Sequence, residues 1–215
     1  MLLGRALIPR AWLLLGGVAL LLSAGLVRAA ETDAAARAAA ERAAVGVCAN
    51  CHGWRGHSIQ PKFPVLAAQH ADYLLAQLRA FKAQTRGDPD ALAYMWGMAS
   101  PLDDATMSAL ADYYSRQKPW AGERGDPRLI ARGQQIYQHG DATEGIPPCA
   151  ACHGPEAAGT DLYPRLAGQH VQYLMKQLRS FQNNLRDVAI MHGVAQGLKV
   201  ADMHAVSEYL QALGP

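Results

Sequence analysis

From Phe63 the chain reads "FPVLAAQHADYLLAQLRAF", and Leu66, Tyr73, Leu74, Leu78 and Phe81 fall on one face of a 3.6-residue period. Gly87 and Pro89 end that stripe. A closing helix opens at Asp103 or Asp104, either of which suits an N-cap, and sets Met107, Leu110, Ala111 and Tyr114 along one face. Ahead of both, "TDAAARAAAERAAVG" predicts a leading helix. No stretch alternates apolar and polar residues as a half-buried strand would. The pattern predicts an all-α unit of three main helices joined by loops.

The same pattern returns about 100 residues later. "YPRLAGQHVQYLMKQLRSF" repeats the first stripe, so that Pro64, Gln69, His70, Tyr73, Gln77 and Phe81 recur as Pro164, Gln169, His170, Tyr173, Gln177 and Phe181. Arg86 matches Arg186, and "MWGMASPL" from Met95 matches "MHGVAQGL" from Met191. "PRLIARGQQIYQHG" supplies the second leading helix, and Met203, Val206, Leu210 and Leu213 the second closing stripe. Between the copies, "QKPWAGERGDPR" is rich in Pro, Gly and charge and reads as a linker. The expected division is residues 1–29 as a leader, 30–118 as the first domain, 119–128 as the linker and 129–215 as the second domain.

The leader has its own signature. Arg5 and Arg10 precede "AWLLLGGVALLLSAGLV", and Val27-Arg28-Ala29 offers a small-residue cleavage site. Cleavage after Ala29 or Ala30 would export the mature chain. A retained anchor is the alternative, because the apolar run reaches about the lower limit for a spanning helix. The whole chain of 215 residues carries 20 basic and 18 acidic side chains, a formal +2. Losing Arg5, Arg10 and Arg28 takes the basic count from 20 to 17 against the 18 acids, so the mature charge is about −1. Nothing in that balance suggests a nucleic-acid groove or an anionic-lipid surface.

Four cysteines in an exported chain would ordinarily suggest two disulfides. Here they form two close pairs, Cys48/Cys51 in "CANCHG" and Cys149/Cys152 in "CAACHG", each followed at once by His52 or His153. A zinc ribbon wants its two pairs roughly 15–20 residues apart, whereas these lie 101 apart. A thioredoxin-like dithiol wants a βαβ setting that is absent here. Covalent haem accounts for the histidine. Two thiols reach the two vinyl groups on one porphyrin edge, and the adjacent imidazole is carried under the ring to bind iron. Two such turns in a duplicated helical unit point to two haem c groups.

A closed iron that only passes electrons needs a sixth ligand. Met95 and Met191 are equivalent between copies, 43 residues after His52 and 38 after His153, in the expected loop between the second and third helices. Met98 fails the repeat test, because Val194 stands opposite it. Met107 and Met203 lie on apolar stripes and read as packing. His70 and His170 recur and would give bis-His ligation, although a polar helix face suits them as well. His57, His139, His192 and His204 lack repeat partners and read as surface residues. Thioether ligation raises the reduction potential relative to a second imidazole. Arg86, Arg186, Tyr73 and Tyr173 could bond haem propionates. The alternatives are exposed salt bridges for the arginines and core packing for the tyrosines.

In combination, CxxCHG, the "P.LAGQH..YL..QLR.F" pattern and the following "M.G.A..L" resemble the dihaem cytochrome c4 family, from about Ala34 to Leu213. The resemblance implies two class I cytochrome c domains related by a pseudo-twofold axis, with haems facing across the interface. It implies periplasmic electron transfer between a respiratory donor and a terminal oxidase, with His52 and Met95 on one iron and His153 and Met191 on the other. Ala68 stands where the family-like second copy has Gly168, and "WRGHSIQPKF" is less typical than "PEAAGTDLY". A dihaem subunit of a larger dehydrogenase, flavocytochrome-like, is the competing reading, and contact with a membrane surface stays open under either. A catalytic or gas-sensing protein would need an open iron, which a methionine in both copies argues against.

Overall fold

The computed structural model describes residues 30–160 and 163–214. The expected leader therefore lies outside the described residues. Helix α1 is α-helical over 30–43, widens into a π-helical stretch at Ala44–Cys48 and ends in the turn Ala49–His52. It is followed by α2 (Ala71–Lys82), then by α3, a π-helical stretch Ala91–Met95 continued by Trp96–Ala99. The first copy closes with α4 (Asp104–Ser115). The second copy runs α5 (Pro127–His139), α6 (Ala150–His153), α7 (Val171–Gln182), α8 (Ala189–Gln196) and α9 (Val200–Ala212). Among the described residues there is no strand, only an isolated bridge between Asp141 and Ile146.

Helix starts follow the capping chemistry. Asp103 accepts from the Thr106 amide at 2.7 Å, and Asp126 accepts from the Arg128 amide at 2.8 Å with Pro127 at the first helical position. Each copy buries the predicted stripes. Leu74 of α2 meets Leu110, Ala111 and Tyr114 of α4 and Ala40 and Ala44 of α1. In the second copy Ile136 and Tyr137 of α5 pack with Leu174 of α7 and Met203, Val206 and Leu210 of α9. Leu213 follows the end of α9 and is half-buried.

The copies differ where the leading helix meets the cysteines. In the first, α1 runs unbroken into Cys48. In the second, α5 stops at His139, and a loop tied by Asp141 and Ile146 and stiffened by Pro147 and Pro148 leads to Cys149. Two prolines in succession cannot continue a helix, so this loop follows from its residues.

Candidate functional site

Cys48 closes the π-helical stretch of α1, and Cys51 and His52 lie on the turn after it. Cys149 is the N-cap of α6, which carries Cys152 and His153. A spacing of three places both thiols of a pair on one side of a helical turn. Gly53 and Gly154 follow at φ 74° and 77°, a left-handed conformation open to glycine. A side chain at Gly53 would meet the His57 carbonyl oxygen at 2.1 Å, so the turn stops directly behind the histidine.

His52 Nδ1 lies 2.9 Å from the Pro64 carbonyl oxygen, and His153 Nδ1 lies 3.1 Å from that of Pro164. A carbonyl only accepts, so Nδ1 carries the proton and Nε2 keeps its lone pair for a metal. Phe63 and Tyr163 meet the two imidazoles edge-on at 6.2 and 6.0 Å. Burial pushes both imidazoles below their usual value, with the proline carbonyls opposing it only in part, so both rings are neutral.

Burial also pushes the Cys48 thiol up, and the Cys149 thiol up to about 11. A redox dithiol needs a stabilised thiolate, the opposite of what burial does here. Among the described residues no three His, Cys, Asp or Glu side chains converge as a zinc site requires.

Met95 ends the π-helical stretch of α3 and packs half-buried with Phe81, Ala91, Ala99 and Trp96. Met191 lies in α8, also half-buried. Both are helical, not in the loops expected from sequence. "ALAYMWGMA" and "AIMHGVA" contain no proline, and their glycines do not break so short a run. Met98 is 53% exposed. Large apolar side chains left exposed gather on the same segments: Val45 and Val47 before Cys48, Leu92 and Tyr94 around Met95, Val188 and Ile190 before Met191.

The recurring polar residues meet between the copies. Gln69 accepts from the Arg165 amide at 2.8 Å and donates to the Arg165 carbonyl at 2.9 Å. Gln169 does the same to Val65, at 2.9 and 3.0 Å. Each glutamine therefore grips the other copy's backbone one residue past the proline that orients its histidine. His70 Nε2 meets the Ala158 carbonyl at 2.9 Å, and His170 Nε2 meets that of Ser58 at 2.8 Å.

Arg86 donates to Gln77 of its own copy and to Gln177 across the interface, at 2.8 and 2.9 Å. Arg186 mirrors it, donating to Gln177 and to Gln77, both at 2.9 Å, and to the Tyr73 hydroxyl at 2.7 Å. Burial raises the Tyr73 phenol, but Arg186 and Arg86 outweigh it and hold the group below its usual value.

A cytochrome c family model matches residues 37–116 and 130–214, one match per copy. Cytochrome c4 of Stutzerimonas stutzeri is 41% identical over 207 residues, covering 91% of this chain and 97% of that protein. The chain belongs to the cytochrome c4 family. A crystal structure of reduced cytochrome c4 from Pseudomonas stutzeri superposes with a TM-score of 0.74 at 39% identity, over 83% of this chain and 98% of that one. The thiosulfate dehydrogenase electron acceptor of Thiomonas intermedia is 36% identical over 172 residues, 77% of each chain.

As a member of this family the chain carries two covalently bound haem c groups, and its residues fit them. Each copy offers two adjacent thiols, a neutral buried imidazole with a free Nε2, and apolar side chains around the turn. Some expectations change. His70 and His170 are not on a polar surface; they bond across the interface between the copies, and His170 is 1% exposed. Arg86 and Arg186 are buried cross-links, not surface salt bridges. His192 is no free surface residue either, since its Nδ1 meets the Phe181 carbonyl at 2.8 Å. His57 likewise meets the Lys118 carbonyl at 2.7 Å. The repeat was the signal that could have marked the interface, because residues alike in both copies are what a pseudo-twofold contact requires.

Proposed function

We propose that this chain is a periplasmic dihaem electron carrier working between a respiratory donor and a terminal oxidase. In this reading Cys48 and Cys51 hold the first haem and Cys149 and Cys152 the second. His52 and Met95 close the first iron, and His153 and Met191 the second. The domains are 30–118 and 129–215, with 119–128 as linker and 1–29 as an export leader. Bound haem supplies a one-electron Fe(III)/Fe(II) couple that no side chain here offers.

The observation that carries the reading is the histidine–proline contact, made alike in both copies. It fixes the tautomer that leaves Nε2 for iron in each. The cysteine pairs would hold the group covalently, Met95 and Met191 on the short helices α3 and α8 would offer it a thioether, and the exposed apolar residues beside them would shield it from water. Exclusion of water and a thioether both favour ferrous iron, which suits a carrier of high potential. A second reading, an electron acceptor for a dehydrogenase, is favoured by the Thiomonas relative. The rate of reduction by a thiosulfate dehydrogenase, compared with that by a respiratory-chain donor, separates the two.

The test of ligation is the far-red sulfur-to-iron charge-transfer band of the oxidised, haem-loaded protein. The wild type is expected to show it at two-haem intensity, and Met95→Ala and Met191→Ala to lose about half each. A wild-type band at half strength or less would remove at least one methionine from the iron.

A further inference from the structure

The first-copy site has two walls that come from distant segments, and each bears on one of the groups assigned to its iron. The loop over residues 60–64 carries the Pro64 carbonyl that orients His52. Helix α3 carries Met95 at the end of its π-helical stretch. One contact ties the two walls directly. Lys62 Nζ donates to the Tyr94 hydroxyl at 2.7 Å and lies 4.5 Å over the Tyr94 ring. Phe63 joins the same contact, edge-on to Tyr94 at 5.7 Å and to the His52 imidazole at 6.2 Å.

A second tie backs the first. Lys176 of α7 donates to the Lys62 carbonyl at 3.0 Å and to the carboxylate of Asp90, the N-cap of the π-helical stretch. It therefore joins the loop to α3 from the side of the other copy. These ties matter because α3 is short, and a helix under about 12–15 residues is marginal without outside contacts. A charged donor on a hydroxyl is stronger than a neutral one, and a cation over an aromatic face adds to it.

A thioether is a soft, neutral donor that favours ferrous over ferric iron. In the oxidised protein it competes with nitrogen bases, so the hold of Met95 depends on how firmly α3 is kept against the loop opposite. We propose that Lys62 and Tyr94 form a clasp that holds Met95 toward the first haem site and closes that site to small nitrogen bases. Neither residue is a ligand. Both are positioning residues, acting through α3 and through the loop that orients His52. The inference rests on the reading of Met95 as a ligand above.

The test is a titration of the oxidised, haem-loaded protein with imidazole, a small base that displaces a thioether from ferric iron, followed by loss of the far-red band. Tyr94→Phe keeps the ring and removes the hydroxyl, and Lys62→Leu keeps an apolar stem and removes the charge. Each is expected to lose half of the band at about threefold lower imidazole, the size of an exposed charged contact. The other half of the band, from the second copy, should not move. The double variant should go no further than Lys62→Leu alone, because one contact is lost only once. Tyr94 is 40% exposed, so Tyr94→Phe leaves the core intact and carries the test if Lys62→Leu does not fold. A full wild-type band whose displacement is unmoved in the variants, or single effects that add in full, overturns the proposal alone. A band that Met95→Ala leaves unchanged overturns the assignment of Met95 and the proposal with it.

Discussion

Ala68 shows how far a single letter carries. It takes φ 58° where Gly168 of the second copy takes φ 74°, and each donates its amide to a closing helix, at Tyr114 and Leu210 respectively. The left-handed region costs a residue with a Cβ roughly 1–2 kcal/mol. Glycine gives back part of that through its larger entropy loss on folding, roughly 0.5–1 kcal/mol. Ala68→Gly is therefore expected to stabilise the first copy by up to about 1 kcal/mol, read as a higher Tm in thermal unfolding. An unchanged or lower Tm would mean the backbone around Ala68 relieves the strain by itself. The departure from glycine is visible in the sequence. Its cost is not, because no letter states a dihedral angle.

Between elements, the tightest contact is the crossing of α5 with α9. A Cβ at Gly133 would sit 2.0 Å from the Ala205 carbonyl oxygen, a backbone atom that cannot swing aside. Gly133→Ala should force the helices apart and destabilise the second copy by about 1–3 kcal/mol, read in urea unfolding as a lower midpoint with an unchanged slope. Retention of the wild-type midpoint would show that the two helices can slide at little cost. The helices themselves were legible in the sequence, through the apolar stripe of Met203, Val206 and Leu210 and the N-cap at Asp103. The crossing was not, since Gly133 in "ARGQQ" reads only as a weak helix position.

For the molecule as a whole, the glutamine grips decide whether two copies behave as one body. Gln69 and Gln169 each satisfy one amide and one carbonyl of the opposite copy, and Gln169 is 6% exposed. Truncating a partner of a buried hydrogen bond leaves an orphan that costs about 1–3 kcal/mol. The wild type is expected to unfold in one calorimetric transition, and the Gln69→Ala, Gln169→Ala double variant in two, one per copy. A single transition in the double variant would place the coupling in the arginine and histidine contacts across the interface. Because each grip lies next to Pro64 or Pro164, it also steadies the carbonyl that orients the opposite histidine.

By itself the sequence determined the two attachment turns, the all-helical duplication and the recurrence of methionine, because those depend on spacing within a few residues or on comparing the chain with itself. Cys48 to His52 needs only one helical turn to be chemically complete. What tertiary structure decided was the use of Gln69, His70, Tyr73, Gln77 and Arg86, which join residues about 100 positions apart. A polar residue in an amphipathic helix looks the same whether water or another domain satisfies it. Only the packed molecule, where burial makes each unmet hydrogen bond costly, chooses between them.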